Sequence, residues 1–187
     1  MRLYAGLMPP EPILQDLDAL VRSAGGDPSE LDRVPVHEMH IPLSLFGNVS
    51  LRDATLLEDT LTREAKHWAP VELRFAGATA LEWTGDLSVW AKLGGDTEEL
   101  AAIARNVTAA VQRLGFFVDR RKFRTWMSVG DVTGSTTPEF LHHLVDGMEA
   151  YDGPTWTLDE LCLLTGRRSD DDETMSVEVY QRIPLSG

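Results

Sequence analysis

Cysteine is nearly absent: there is one, Cys162, in 187 residues. A single thiol excludes an internal disulfide and the paired-cysteine zinc motifs. Set in Leu161-Cys162-Leu163-Leu164, it reads as a buried strand residue. No apolar run approaches the roughly 20 residues of a membrane-spanning helix, so no membrane partner is expected. Met1 to Leu7 reads as a first strand, too short and too soon broken by Pro9-Pro10 to serve as a signal peptide. Together these absences imply a cytoplasmic protein. Basic residues are scarce, 17 Lys and Arg against 30 Asp and Glu, for a net charge of -13. That balance argues against an extended nucleic-acid surface, because phosphate contacts supply most non-specific affinity; a local basic cleft remains compatible with it. Also missing are a phosphate-cradling glycine loop and a nucleophile elbow. No metal or cofactor is expected. His142 and His143 are neighbours on a helix and point apart, and His37 and His40 fall on opposite faces of a strand.

What is present is patterned. Hydrophobic residues make up 43% of the chain, enough for a core in one domain or in two small lobes sharing an interface. From Glu38 to Val49 the sequence alternates: Met39, Ile41, Leu43 and Leu45 point one way, and Glu38, His40, Pro42 and Ser44 the other. Period-two alternation marks a strand with one face in a core and one open, so His40 looks out of a sheet. A second stretch, Phe123 to Val132, places Arg124, Trp126 and Ser128 on one face, with Phe123, Met127 and Val129 on the other.

Helical spacing predicts helices carrying Ile13, Leu14, Leu17, Leu20 and Val21; then Ala54, Leu57, Leu61 and Ala65 behind a Ser50–Asp53 capping box. A third carries Leu100, Ile103, Val107 and Val111, started by Asp96 and Glu99 and stopped by Gly115; a fourth opens at Thr137-Pro138. Residues 27–34 read as a polar connector. Strands are predicted at 71–75, 87–93, 155–165 and 175–183, the last two flanking an acidic turn at Ser169 to Glu173. Strand–helix–strand–helix thus occurs twice, in halves of about 1–85 and 86–187, which points to an α/β or α+β chain.

The two alternating stretches resemble the motifs of the two-histidine phosphoesterases, the superfamily of 2′-5′ RNA ligases and RNA 2′,3′-cyclic phosphodiesterases. That family carries His-x-Thr/Ser twice. The first stretch keeps His40, Leu43, Gly47 and Val49, with Pro42 in the hydroxyl position; the second keeps Phe123 and Ser128, with Trp126 in the histidine position. The resemblance spans essentially the whole chain. It implies an α+β fold, a single two-lobed domain over 1–187, with two antiparallel-rich sheets facing a central cleft and helices outside.

Opening a cyclic phosphate needs a base and an acid, and the family's two histidines exchange those roles. Here the resemblance makes His40 and Ser128 the candidate catalytic residues, and Trp126, Pro42, Ser44, Glu38 and Arg124 the candidate cleft lining. Ser44 and Asp131 stand where the family often has arginines. An indole cannot shuttle a proton near neutral pH, and Asp131 brings negative charge near a phosphate. The expected protein is therefore a family member with a degenerate, inactive or altered site that binds a small ligand, a nucleotide, an RNA end or a partner in the old cleft. The competing expectation is an active cyclic phosphodiesterase using His40, with Glu38 as substitute acid; a third is an interaction protein whose cleft is sealed by Trp126 and Trp90. Arg120-Arg121-Lys122 with Arg124 is the one dense basic run, either a solvated face or an anion contact. The oligomeric state is left open.

Overall fold

The computed structural model describes residues 1–24, 26–82, 87–118, 123–168 and 175–187, without the side chains of residues 81, 82, 167, 168 and 175. Among the described residues, nine strands and four helices follow in order: β1 (Arg2–Leu7), α1 (Glu11–Ser23), β2 (Leu31–Arg33), β3 (Ile41–Asn48), α2 (Leu51–Ala65), β4 (Val71–Glu82), β5 (Leu87–Gly95), α3 (Thr97–Arg113), β6 (Trp126–Val132), α4 (Pro138–Glu149), β7 (Trp156–Leu158), β8 (Glu160–Arg168) and β9 (Met175–Pro184). Two antiparallel sheets result. The first has the order β3-β1-β8-β9 and the second β2-β6-β5-β4-β7. The α+β expectation holds, and each motif strand lies in its own sheet. The basic run at 120–122 and the acidic turn at 169–173 lie outside the described residues.

Each sheet buries one face. Leu3, Ala5, Leu7, Ile41, Leu161 and Leu163 of the first sheet join Leu73, Phe75, Val89, Ala91, Met127 and Val129 of the second in one core with the helix stripes. Leu57, Leu61 and Leu100, all predicted as helix stripe residues, are fully buried there. At the head of α2, Ser50 Oγ accepts from the Asp53 N–H at 3.2 Å and the Asp53 carboxylate accepts from the Ser50 N–H at 3.3 Å. The reciprocal pair satisfies two donors that a helix start leaves orphaned.

Three predicted details change. The connector at 27–34 contains a 3-10 turn (Pro28–Glu30) and β2, which pairs with β6. Glu30 is buried there, and its carboxylate accepts from the Thr137 hydroxyl (2.6 Å), the Asp27 N–H (2.9 Å) and the Thr137 N–H (3.2 Å). These bonds, that from the Thr137 hydroxyl foremost, hold its acidity below the ordinary carboxyl range. Asp96 does not cap α3 with its side chain; its carboxylate instead accepts from the Glu72 N–H of β4 at 2.9 Å. The stretch 155–165 is not one strand. It breaks at Asp159, β7 joining the second sheet and β8 the first.

Candidate active site

His40 sits one residue before β3, on the face of the first sheet opposite the main core. A small apolar cluster of Tyr4, Cys162 and Leu164, with Met8, Leu45 and Val177 against it, covers that face. The imidazole is wired at both nitrogens: Nδ1 lies 2.7 Å from the Glu38 carbonyl and Nε2 lies 3.1 Å from the Tyr4 hydroxyl. A carbonyl only accepts, so Nδ1 carries the proton; the neutral ring then accepts the Tyr4 O–H at Nε2. Desolvation lowers the His40 pKa from its ordinary 6.5, against smaller opposing effects of Glu38. Burial likewise pushes the Tyr4 phenol up to about 12. Both groups are therefore uncharged at neutral pH.

Two β-bulges decide what else shares this face. Against β1, Ala5 pairs with Ser44 and Gly6 with Pro42, so Leu43 is an extra residue; Tyr4 pairs with Leu45 and Leu3 with Gly47, so Phe46 is another. Pro42 stays on the His40 side, exposed, and its missing N–H is tolerated because β3 is a sheet edge. Ser44 is turned into the core, 6% exposed, with Oγ 3.1 Å from Thr108 Oγ1 of α3. The expected Ser44 cleft position is thus corrected, and Leu45 takes the open face. Glu38 leaves the strand but stays beside His40. It lies in a 3-10 turn (Val36–Glu38), not on the strand; its backbone carbonyl orients His40, while its carboxylate is 3.7 Å from His37 Nε2.

On the second sheet, Trp126 pairs with Lys92 and Ser128 with Trp90, which puts all four on the face opposite Met127 and Val129. A bulge at Val129 brings Asp131 onto that face as well, where its carboxylate accepts from Ser88 Oγ. The Arg124 guanidinium lies over the Trp126 ring, 4.7 Å from its centroid, a cation–π arrangement. Lys92 Nζ is 3.7 Å from Glu149. The two motif strands β3 and β6 come into contact where the sheets meet. Among the described residues no group of His, Cys, Asp or Glu could hold a metal ion, and no helix is long and apolar enough to cross a membrane.

The family model for the 2′-5′ RNA ligase superfamily matches residues 9–170. The chain belongs to that superfamily. No curated protein sequence matches it. Among solved structures, TT0787 of Thermus thermophilus is similar over 100% of this chain and 99% of its own, with TM-score 0.76 and 17% identity. E. coli LigT complexed with 3′-AMP is similar over 100% and 98%, with TM-score 0.73 and 16% identity. Usb1 of Kluyveromyces marxianus with uridine monophosphate is a more distant likeness, TM-score 0.50 and 13% identity over 98% and 96%. At these identities the likeness establishes the 2′-5′ RNA ligase-like fold.

Within that fold, the residue that sequence reasoning missed is Tyr4. Its signal was present: β1 alternates Leu3, Ala5 and Leu7 against Tyr4, Gly6 and Met8, so a lone phenol falls on the open face. A hydroxyl beside an imidazole was the pairing to look for. The wiring of His40 has a direct expectation. In 15N-correlated NMR, His40 should show the Nδ1–H tautomer and titrate below 6.5. A base held low binds fewer protons folded than unfolded. Its contribution to stability is thus present above 6.5 and is lost as pH falls toward the folded pKa. An Nε2–H tautomer, or a pKa above 6.5, would contradict the assignment.

Proposed function

We propose that this superfamily member is a binding protein for a nucleotide-like ligand and does not hydrolyse cyclic phosphates. One observation carries the reading: where the family motif has its second histidine there is an indole with a guanidinium packed on it. Neither group exchanges protons near neutral pH, yet the pair suits a ring and an anion. Indole faces stack on bases and arginine binds phosphate oxygens. Two further features support it. The His40 lone pair is occupied by Tyr4, and Asp131 adds a negative charge on the sheet face that carries Ser128, which opposes a transferring phosphate more than a peripheral one. The relatives' ligands point the same way, since LigT has been crystallised with 3′-AMP and with ATP.

The test pairs binding with turnover. Calorimetry should detect saturable binding of 3′-AMP, and Trp126→Ala should weaken it by roughly 10- to 100-fold, the usual worth of one base stack. Incubation with 2′,3′-cyclic AMP should give no product. Turnover that His40→Ala abolishes would establish the active phosphodiesterase instead, and absence of any nucleotide binding would refute the ligand assignment.

A further inference from the structure

We infer that the protein carries a second binding site, distinct from the His40 and Trp126 faces, for a short, neutral, apolar peptide segment in extended conformation. A groove of about 770 Å³ runs between the start of α1, β7 and the adjoining ends of β8 and β9, with Met8, Pro10, Leu14, Val36, Trp156 and Leu158 among its lining. That volume lies within the range of roughly 300–1,000 Å³ typical of ligand sites. Trp156 is 6% exposed, and its buried indole N–H has no partner among the described residues. Buried donors are rarely left so, and Trp156 is among the residues that line the groove.

The backbone supplies the second recognition element. Glu72 exchanges hydrogen bonds with Asp96, on the β5 side of β4. Backbone groups alternate sides along a strand, so Leu73 and Val71 turn toward β7 and bond its Trp156 and Leu158. Thr157, between them, must direct its N–H and C=O away from β4. Because β7 is the sheet edge, these groups face the groove that Thr157 helps to line. An N–H and C=O on one residue, unpaired among the described residues, accept one residue of an added strand, the geometry of β-augmentation. Charge disfavours an acidic guest: Arg22 and Arg182 are ion-paired with Asp18 and Glu160, and Glu11 and Asp159 leave the lining with a surplus of negative charge.

The probe is N-acetyl-leucyl-alanyl-leucine amide, titrated into the full chain and followed by 15N–1H NMR. The Trp156 indole signal, identified by its loss in Trp156→Phe, and the Thr157 amide signal should shift together and saturate. Thr157→Pro, which removes the edge donor from a position where proline is tolerated, should weaken binding about tenfold, the worth of one hydrogen bond. With the wild-type chain, replacing the probe's central amide by an ester should weaken it by about the same factor. 3′-AMP should not compete, which separates this site from the proposed nucleotide site. No saturable shift at millimolar probe, or shifts indifferent to both the variant and the ester, overturn the inference and leave the indole N–H to an ordered water.

Discussion

Trp126→His alone should leave hydrolysis of 2′,3′-cyclic AMP at background, while the triple variant Trp126→His/Tyr4→Phe/Pro42→Thr should raise it by roughly 10²–10⁴-fold, the usual worth of a restored acid–base group. The single change supplies an imidazole on β6 but leaves its partner engaged, because Tyr4 holds the only lone pair His40 can use. Tyr4→Phe keeps the ring that packs beside Cys162 and Leu164 and deletes the hydroxyl. Pro42→Thr returns the motif hydroxyl on the exposed side of β3, and also a backbone N–H, which an edge strand can present to solvent. Catalytic groups act as a unit, so the triple variant should exceed the product of its single effects. Steady-state rates of the three single variants and the triple decide it. If Trp126→His alone gives the full gain, Tyr4 does not restrain His40, and the proposed non-catalytic reading falls with it.

Gly95→Ala should be the most damaging small substitution outside the core, destabilising the fold by about 3 kcal/mol or more. Gly95 has φ +93°, and an added Cβ would stand 2.3 Å from the Glu72 carbonyl oxygen and 3.2 Å from two further backbone atoms. No flexible side chain can yield there. The displaced Glu72 is the residue that Asp96 clamps, so β4, β5 and the start of α3 would all shift. Gly115→Ala is the control. Its φ is +85° but nothing lies within 4 Å of the added carbon, so only the left-handed backbone costs, about 1–2 kcal/mol. Urea midpoints of the two variants measure the difference. Equal losses would mean that the contact with Glu72 relaxes freely.

The fold was legible wherever periodicity and caps agreed. The stripe of Leu100, Ile103, Val107 and Val111 and the Ser50–Asp53 box are where the sequence put them. What the sequence hid were the places where regularity breaks. A bulge at Leu43 sends Ser44 into the core beside Thr108, and no period-two count can anticipate an inserted residue. The break falls at Asp159-Glu160, between two apolar stretches that both face cores and so read as one strand. Of the candidate site, the motifs marked His40, Trp126, Ser128 and Arg124. They could not mark Tyr4, whose partnership with His40 spans 36 residues and exists only once β1 and β3 pair.

The position of β1 inside its sheet also has a consequence for biosynthesis. It pairs with β3 on one side and with β8 on the other, and Thr165 bonds the Arg2 carbonyl across 163 positions. At roughly 5–20 residues per second, a ribosome adds the stretch from β3 to β8 over several seconds or more. Throughout that interval one flank of β1 is a bare strand edge bearing Tyr4. The nascent chain is thus most open to mispairing beside the very phenol that later governs His40. Chaperone demand should concentrate in this window, before the last hairpin closes the sheet.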